Sequence, residues 1–112
     1  MKWNILNDYN QVQNLVEASH LKPQAIFKHS TRCSISIMAK SRLERSEFSE
    51  QIQFHYLDLL QYRDISNKIA DHFGVYHQSP QILLIKNGEC IFEETHSAIS
   101  MDEIVEQATK EV

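Results

Sequence analysis

A side chain suited to redox chemistry, Cys33, precedes Ser36 by three positions in the stretch Cys-Ser-Ile-Ser. Cysteine reacts as its thiolate, which is favoured where the sulfur lies beside the free N–H groups and the positive dipole end of a helix. A Cys-x-x-Cys motif has a second thiol where this chain has Ser36, so no disulfide can close within the motif. The sequence therefore predicts one nucleophilic thiol, Cys33, and a hydroxyl one helical turn away that can hydrogen-bond to it.

Cys33 and Ser36 also have structural interpretations, which the sequence leaves open. A lone cysteine can be a small buried core residue, and Ser36 can be an ordinary serine of the first helical turn. Polar residues flank Cys33 on both sides, whereas core cysteines more often lie within apolar runs. The sequence context therefore favours a reactive Cys33.

The other cysteine and the histidines indicate neither a disulfide framework nor a metal site. Cys90 lies between Glu89 and Ile91 in an apolar segment, and we interpret it as structural rather than as a resolving thiol. The six histidines show no His-x-x-x-His spacing and no accompanying cysteine cluster. We therefore expect no bound metal.

Composition limits the classes of protein to which the chain can belong. Its 112 residues suit one domain, residues 1–112, with one modest core. A formal net charge of -4 without a lysine- or arginine-rich block argues against nucleic-acid binding. No apolar run approaches the about 20 residues of a membrane span, and the first residues lack a signal-peptide pattern. We therefore expect a soluble, cytoplasmic protein that binds neither nucleic acid nor membrane.

Hydrophobic periodicity and turn residues predict eight elements in the order αβαβαββα. Two parallel crossovers followed by an Asn-Gly hairpin describe a central mixed four-stranded sheet flanked by helices, an α/β fold. We expect Met38, Ala39 and Leu43 to face inward from the second helix. The predicted segments are a helix over residues 8–19 capped by Asn7, strand 25–27, helix 34–45, strand 53–60, a helix closed by Gly74, strands 81–86 and 89–93, and a helix capped by Ser100.

The segment over residues 27–36, Phe-Lys-His-Ser-Thr-Arg-Cys-Ser-Ile-Ser, is similar to the signature of the monothiol bacilliredoxins, the YtxJ-type general stress proteins. Their usual core is Thr-Cys-Pro-Ile-Ser, so this chain departs at Arg32 and Ser34. A Ser-Pro dipeptide, Ser79-Pro80, opens the hairpin strand as it does in thioredoxin-like proteins. The resemblance covers nearly the whole chain and implies a single thioredoxin-like domain.

The resemblance also implies a function in the response to stress, the exchange of bacillithiol on protein mixed disulfides. Cys33 would capture bacillithiol from a client protein, and a second low-molecular-weight thiol or a reductase would release it. Bacillithiol would thus be the exchange thiol. A redox-inert thioredoxin-like module that holds a client protein is the alternative, and a monothiol protein with a shared iron–sulfur cluster is a weaker one.

Four further residues are candidate substrate-binding groups. By resemblance, the bond before Pro80 is cis and faces the cysteine, which lets Ser79 pair with an extended client; a trans proline that starts a strand is the alternative. Thr31 and Arg32 precede Cys33, and Arg32 forms a small basic locality with Lys28 and His29 in an acidic chain. The Arg32 guanidinium suits the carboxylates of bacillithiol. A solvated arginine without that role is equally compatible with the sequence.

Overall fold

The computed structural model describes residues 3–110, which form one mixed sheet covered by helices on both faces. A 3-10 turn, His96–Ala98, precedes the last helix. The strands and helices are β1 Trp3–Ile5, α1 Asn10–Ala18, β2 Gln24–His29, α2 Ser34–Arg45, β3 Gln53–Asp58, α3 Arg63–Phe73, β4 Gln81–Lys86, β5 Glu89–Thr95 and α4 Met101–Thr109.

The sheet has the strand order β1-β3-β2-β4-β5. Strands β1, β2 and β3 run parallel, and β4 runs antiparallel to both β2 and β5. Lys28 near the end of β2 pairs with Gln81 at the start of β4. The loop that follows β2 and the Ser79-Pro80 segment that precedes β4 therefore lie at the same end of the sheet.

Two apolar clusters pack on opposite faces of this sheet, because successive side chains of a strand point to opposite sides. On one face, Phe27 and Ala25 of β2 pack with residues of α2 and α4. On the other, Ile26 packs with residues of α1 and α3. All six residues of β2 are buried, so this central strand determines which side chains reach each core.

The α/β architecture is confirmed, but the sheet has five strands instead of the predicted four. The additional strand, β1, is three residues long and lies at the sheet edge, which is too short for an alternating pattern to identify. Helix α1 begins at Asn10, later than predicted, and Tyr9 rather than Asn7 occupies its N-cap position. Asp8 Oδ1 instead accepts the Asn10 N–H at 2.9 Å.

Strand β2 spans Gln24–His29 and so is longer than the predicted 25–27, whereas β3 ends at Asp58 instead of 60. Local signals placed several other boundaries correctly. Asn87 and Gly88 adopt φ angles of 53° and 80° in the hairpin turn, and Gly74 ends α3 in the left-handed region. Ser100 Oγ accepts the Glu103 N–H at the start of α4, as its capping-box spacing predicts. The prediction that Met38 faces inward was wrong, since Met38 is 62% exposed.

Candidate active site

Cys33 lies at the junction between β2 and α2, partly exposed to solvent. It is the N-cap residue of α2, with extended backbone angles of φ -107° and ψ 120°. Its N–H donates to the Ser30 carbonyl at 3.2 Å, and its own carbonyl accepts from Ile37 at 2.9 Å. The sulfur is thus carried at the positive end of the helix dipole, an environment typical of reactive thiols.

Ser36 is fully buried beneath this junction. Its Oγ accepts the Ser30 N–H at 3.0 Å and lies 2.7 Å from His29 Nδ1. Within residues 3–110, no hydrogen bond joins this hydroxyl to Cys33. The hydroxyl that the sequence predicts beside the thiol therefore holds the end of β2 and its loop against the first turn of α2.

His29 is the site residue that sequence reasoning missed, because Lys28 and His29 were interpreted as part of a small basic locality around Arg32. Its ring is 4% exposed, stacked on Phe27 and tilted against Tyr56. Burial lowers the pKa of His29, and the positive charge of Lys40 acts in the same direction. His29 is therefore a neutral hydrogen-bonding group at neutral pH, and not a surface cation.

A cleft of about 380 Å³ opens beside the His29 ring, between α2 and the end of β3. Its two charged side chains, Lys40 and Glu44, form an ion pair. The cleft connects solvent with the ring and with the loop that carries Cys33. Its lining residues are His29, Thr31, Ile37, Lys40, Ser41, Glu44 and Tyr56.

Lys28 points to the opposite face of the sheet from His29 and is fully buried. Its Nζ donates to the Ser66 carbonyl at 3.1 Å and lies 3.3 Å from His77 Nδ1. Burial lowers the pKa of Lys28 to about 8. This amine therefore links β2 to α3 and to the segment before Pro80, and it does not contribute to a basic surface at Cys33.

Thr31 and Arg32 are both exposed in the loop immediately before Cys33. Thr31 lines the cleft beside His29. Arg32 makes no ion pair with any of the described residues. Among Lys28, His29 and Arg32, only Arg32 is exposed to solvent.

The peptide bond between Ser79 and Pro80 is cis, as the resemblance implied. Pro80 is buried and its carbonyl accepts from His96 at 3.1 Å. The Ser79 Oγ is buried, and within the described part of the chain it has no hydrogen-bond partner. The backbone N–H and C=O of Ser79 likewise have none among residues 3–110. Ser79 thus presents free polar groups in the bend before β4, at the end of the sheet that carries Cys33.

Cys90 lies at the other end of the sheet. It pairs with Ile85, which pairs with Gln24 at the start of β2, whereas Cys33 follows the end of that strand. The length of β2 alone separates the two positions by about 16 Å, beyond the about 7 Å between Cα atoms that a disulfide can span. Burial raises the pKa of the Cys90 thiol, whose Sγ–H donates to the Phe92 carbonyl at 3.3 Å. Cys33 therefore has no internal resolving thiol.

The described residues give no sign of a metal centre or of a membrane-spanning helix. No three histidine, cysteine or acidic side chains of residues 3–110 are grouped as metal ligands. None of the helices in this part of the chain is long and apolar enough to cross a bilayer.

Comparison with solved structures places this geometry in a known fold. A proposed oxidoreductase with a thioredoxin fold is 28% identical, with a TM-score of 0.83 over 97% of this chain and 95% of that one. Malassezia sympodialis thioredoxin is 16% identical, with a TM-score of 0.77 over 96% and 91% of the two chains. Fasciola hepatica thioredoxin is 14% identical, with a TM-score of 0.73 over 95% and 96%. The latter two likenesses show the fold alone.

The sequence itself matches one protein family over most of its length. Residues 4–104 match the family described as monothiol bacilliredoxin BrxC. The matched segment contains the Cys33 junction, the Ser79-Pro80 edge and Cys90. The chain therefore belongs to the monothiol bacilliredoxin family.

Proposed function

We propose that the protein removes bacillithiol from protein mixed disulfides, with Cys33 as the exchange nucleophile. Family membership and the thioredoxin fold support a thiol–disulfide redox role. The observation that carries the proposal is the solitary, partly exposed Cys33 thiol at the start of α2, with the second cysteine at the far end of the sheet. One thiol suits a reaction in which the protein takes up one sulfur group and passes it on.

The exchange proceeds in two displacements at sulfur. The Cys33 thiolate attacks the bacillithiol sulfur of the client's mixed disulfide, so a new disulfide forms as the client disulfide breaks. The client cysteine leaves as a thiolate and takes a proton from water. A second thiol, from a low-molecular-weight thiol or a reductase, then attacks the Cys33–bacillithiol disulfide and restores the Cys33 thiolate. Because Cys90 cannot reach Cys33, this second thiol must come from outside the chain.

Ser79 and Pro80 supply the surface on which an extended client segment would lie. The N–H and C=O of Ser79 have no partner within residues 3–110, and they lie at the sheet end that carries Cys33. An extended client segment can pair with a free backbone N–H and C=O through main-chain hydrogen bonds. We expect the client's modified cysteine to be presented to Cys33 in this way.

Arg32 and Thr31 are the proposed contacts for the bacillithiol portion of the substrate. The Arg32 guanidinium is exposed, makes no ion pair with the described residues and precedes Cys33 directly. A free guanidinium suits the malate carboxylates of bacillithiol. Thr31 adds a hydroxyl at the mouth of the cleft beside His29. Together, Arg32 and Thr31 favour the binding of an anionic low-molecular-weight thiol beside Cys33.

The first test is the intact mass of the protein after incubation with a bacillithiolated client. We expect wild type and Cys90→Ser each to gain one bacillithiol adduct while the client loses its own, and Cys33→Ser to gain none. Cys90→Ser is the matched control, since it removes a thiol that burial keeps from reacting. A glutathionylated client run in parallel tests selectivity, and we expect slower transfer from it.

Two results would contradict the proposal. If wild type gains no adduct and its thiols alkylate no faster than free cysteine, the redox-inert client-binding module is the better description. If Cys33→Ser still gains the adduct, the nucleophile has been assigned to the wrong residue.

A further inference from the structure

The Ser36 hydroxyl can satisfy its neighbours in only two ways. A hydroxyl has one proton and two acceptor lone pairs. The Ser30 N–H occupies one lone pair at 3.0 Å. His29 Nδ1 lies 2.7 Å from the same oxygen. Ser36 either donates its proton to Nδ1 or accepts a proton from Nδ1 with its second lone pair.

The protonation of His29 decides between these two arrangements. When the ring is neutral with its proton on Nε2, Nδ1 is an acceptor and the Ser36 proton points at His29. When Nδ1 carries a proton, it donates into the second lone pair of Ser36. The Ser36 proton is then free to turn elsewhere.

The start of α2 supplies the acceptor for that freed proton. Cys33 is the N-cap residue and Ser36 is the third helical residue, the position from which a capping-box side chain reaches back to the N-cap residue. A thiolate is a strong acceptor, and a hydrogen bond to a charged group is stronger than one between neutral groups. The sulfur of Cys33 is therefore the neighbour that gains from a released Ser36 hydroxyl.

We propose that His29 is a positioning residue that acts on Cys33 through Ser36. With Nδ1 unprotonated, His29 holds the Ser36 proton for itself, and with Nδ1 protonated it releases that proton to the Cys33 thiolate. The inference rests on the proposed role of Cys33 as the nucleophile. Its consequence is a thiolate that persists at lower pH than a solitary thiol would allow.

The groups around His29 set the direction of this response. Lys40 and Glu44 face it from α2, and Tyr56 and Asp58 face it from β3. Burial and Lys40 lower the pKa of His29, whereas Asp58 and Glu44 oppose them. The cleft beside the ring gives water and protons a route to it. His29 therefore keeps the Ser36 proton at neutral pH and releases it as the solution becomes more acidic than the usual titration of histidine.

The test is a titration of the Cys33 thiolate, followed by its ultraviolet absorbance in a Cys90→Ser background. Below the titration of His29, we expect about tenfold more thiolate than a single-site curve through the neutral and alkaline points gives, the effect of one hydrogen bond to a charged group. In His29→Phe the Ser36 proton is always free, so we expect a single-site curve displaced by about one unit to lower pH. Adding Ser36→Ala to His29→Phe should cancel the displacement.

His72→Phe is the matched control, because it removes an exposed histidine of α3 that does not touch the site. A His29→Phe curve that coincides with the wild-type and His72→Phe curves would overturn the proposal. Long-range proton–nitrogen correlation of the wild-type ring provides a measurement that needs no variant. We expect the neutral His29 proton on Nε2, and a proton on Nδ1 would also overturn the proposal. Neither experiment uses bacillithiol. If the thiolate titrations behave as expected but bacillithiol transfer fails, the proposed function alone is contradicted.

Discussion

The two ends of the sheet contain the same kinds of groups in different arrangements. Each has one cysteine, Cys33 or Cys90, and one buried histidine with a side-chain partner at 2.7 Å. At the first end the partner of His29 is a hydroxyl, whose proton can point in either direction. At the second end His55 Nε2 lies against an amide oxygen of Gln24. The first end can change its hydrogen bonding, and the second is fixed.

At the end of the sheet that contains His55, each hydrogen-bonding group of Gln24 has one assigned role. Gln24 Nε2 donates to the Lys22 carbonyl at 2.8 Å, which leaves Gln24 Oε1 to accept from His55. Cys90 is held in the same region by its bond to the Phe92 carbonyl. The two ends therefore differ in the setting of their cysteines. Cys33 lies at a helix start near a histidine whose partner is a hydroxyl, whereas Cys90 lies within a strand.

The largest effect that we predict at the fixed end is a loss of stability in acid. Burial lowers the pKa of His55 to about 4 from an unfolded value of 6.5. Between these two values the unfolded chain binds a proton that the folded chain does not, so His55 stabilises the fold fully above pH 6.5 and less as the pH falls. The free energy of unfolding should drop by up to about 3 kcal/mol across this window.

Urea denaturation at a series of pH values measures this loss. His55→Gln serves as the comparison, since it keeps a donor for Gln24 but has no titrating group. The difference between wild type and His55→Gln removes the contributions of His29 and His77, whose pKa values burial also lowers. If wild type and His55→Gln lose the same free energy of unfolding as the pH falls, the predicted acid destabilisation by His55 is contradicted.

Ser36→Ala should have the next largest effect, at the adjustable end. It leaves the Ser30 N–H and His29 Nδ1 without their partner. An unpaired buried polar group costs about 1–3 kcal/mol, so we expect a loss of about 2 kcal/mol in the free energy of unfolding. Ser34→Ala is the control, since Ser34 is exposed in the same helical turn. Urea denaturation measures the free energy of unfolding of both variants. Values within about 0.5 kcal/mol of each other would contradict a structural role for the Ser36 hydroxyl.

The sequence was sufficient for the parts of this comparison that depend on local signals. The boundaries of α2, the Asn87-Gly88 turn and the Ser100 cap each follow from residues adjacent in the chain. The position of Cys33 at the start of a helix likewise follows from the sequence, whereas its reactivity stays a prediction. These features need no knowledge of which elements pack together.

The buried polar pairs could not be predicted, because they depend on packing across the sheet. The sequence suggests that Lys28 and His29 are surface cations. In the structure both are buried, on opposite faces of the sheet, because they are consecutive residues of β2. The partner of His29 is seven residues away on another element, and the partners of Lys28 lie beyond position 65. A hydrogen bond from Ser36 to Cys33 stays a prediction, and the observed bond between Ser36 and His29 depends on both the alternation of β2 and the position of α2.

The smallest effect that we predict concerns a charge at the Cys33 end of the sheet and no hydrogen bond. Arg32→Ala removes the exposed guanidinium beside Cys33, whereas Arg45→Ala removes an exposed guanidinium at the opposite end of α2. An exposed ionic contact is worth up to about 1 kcal/mol, so we expect Arg32→Ala to slow transfer from a bacillithiolated client about threefold. Arg45→Ala should leave the rate unchanged. The loss in Arg32→Ala should shrink at high salt, because an exposed ionic contact is screened. Equal rates for the two variants at low salt would mean that Arg32 is only solvated, and that the anionic part of the substrate is recognised elsewhere.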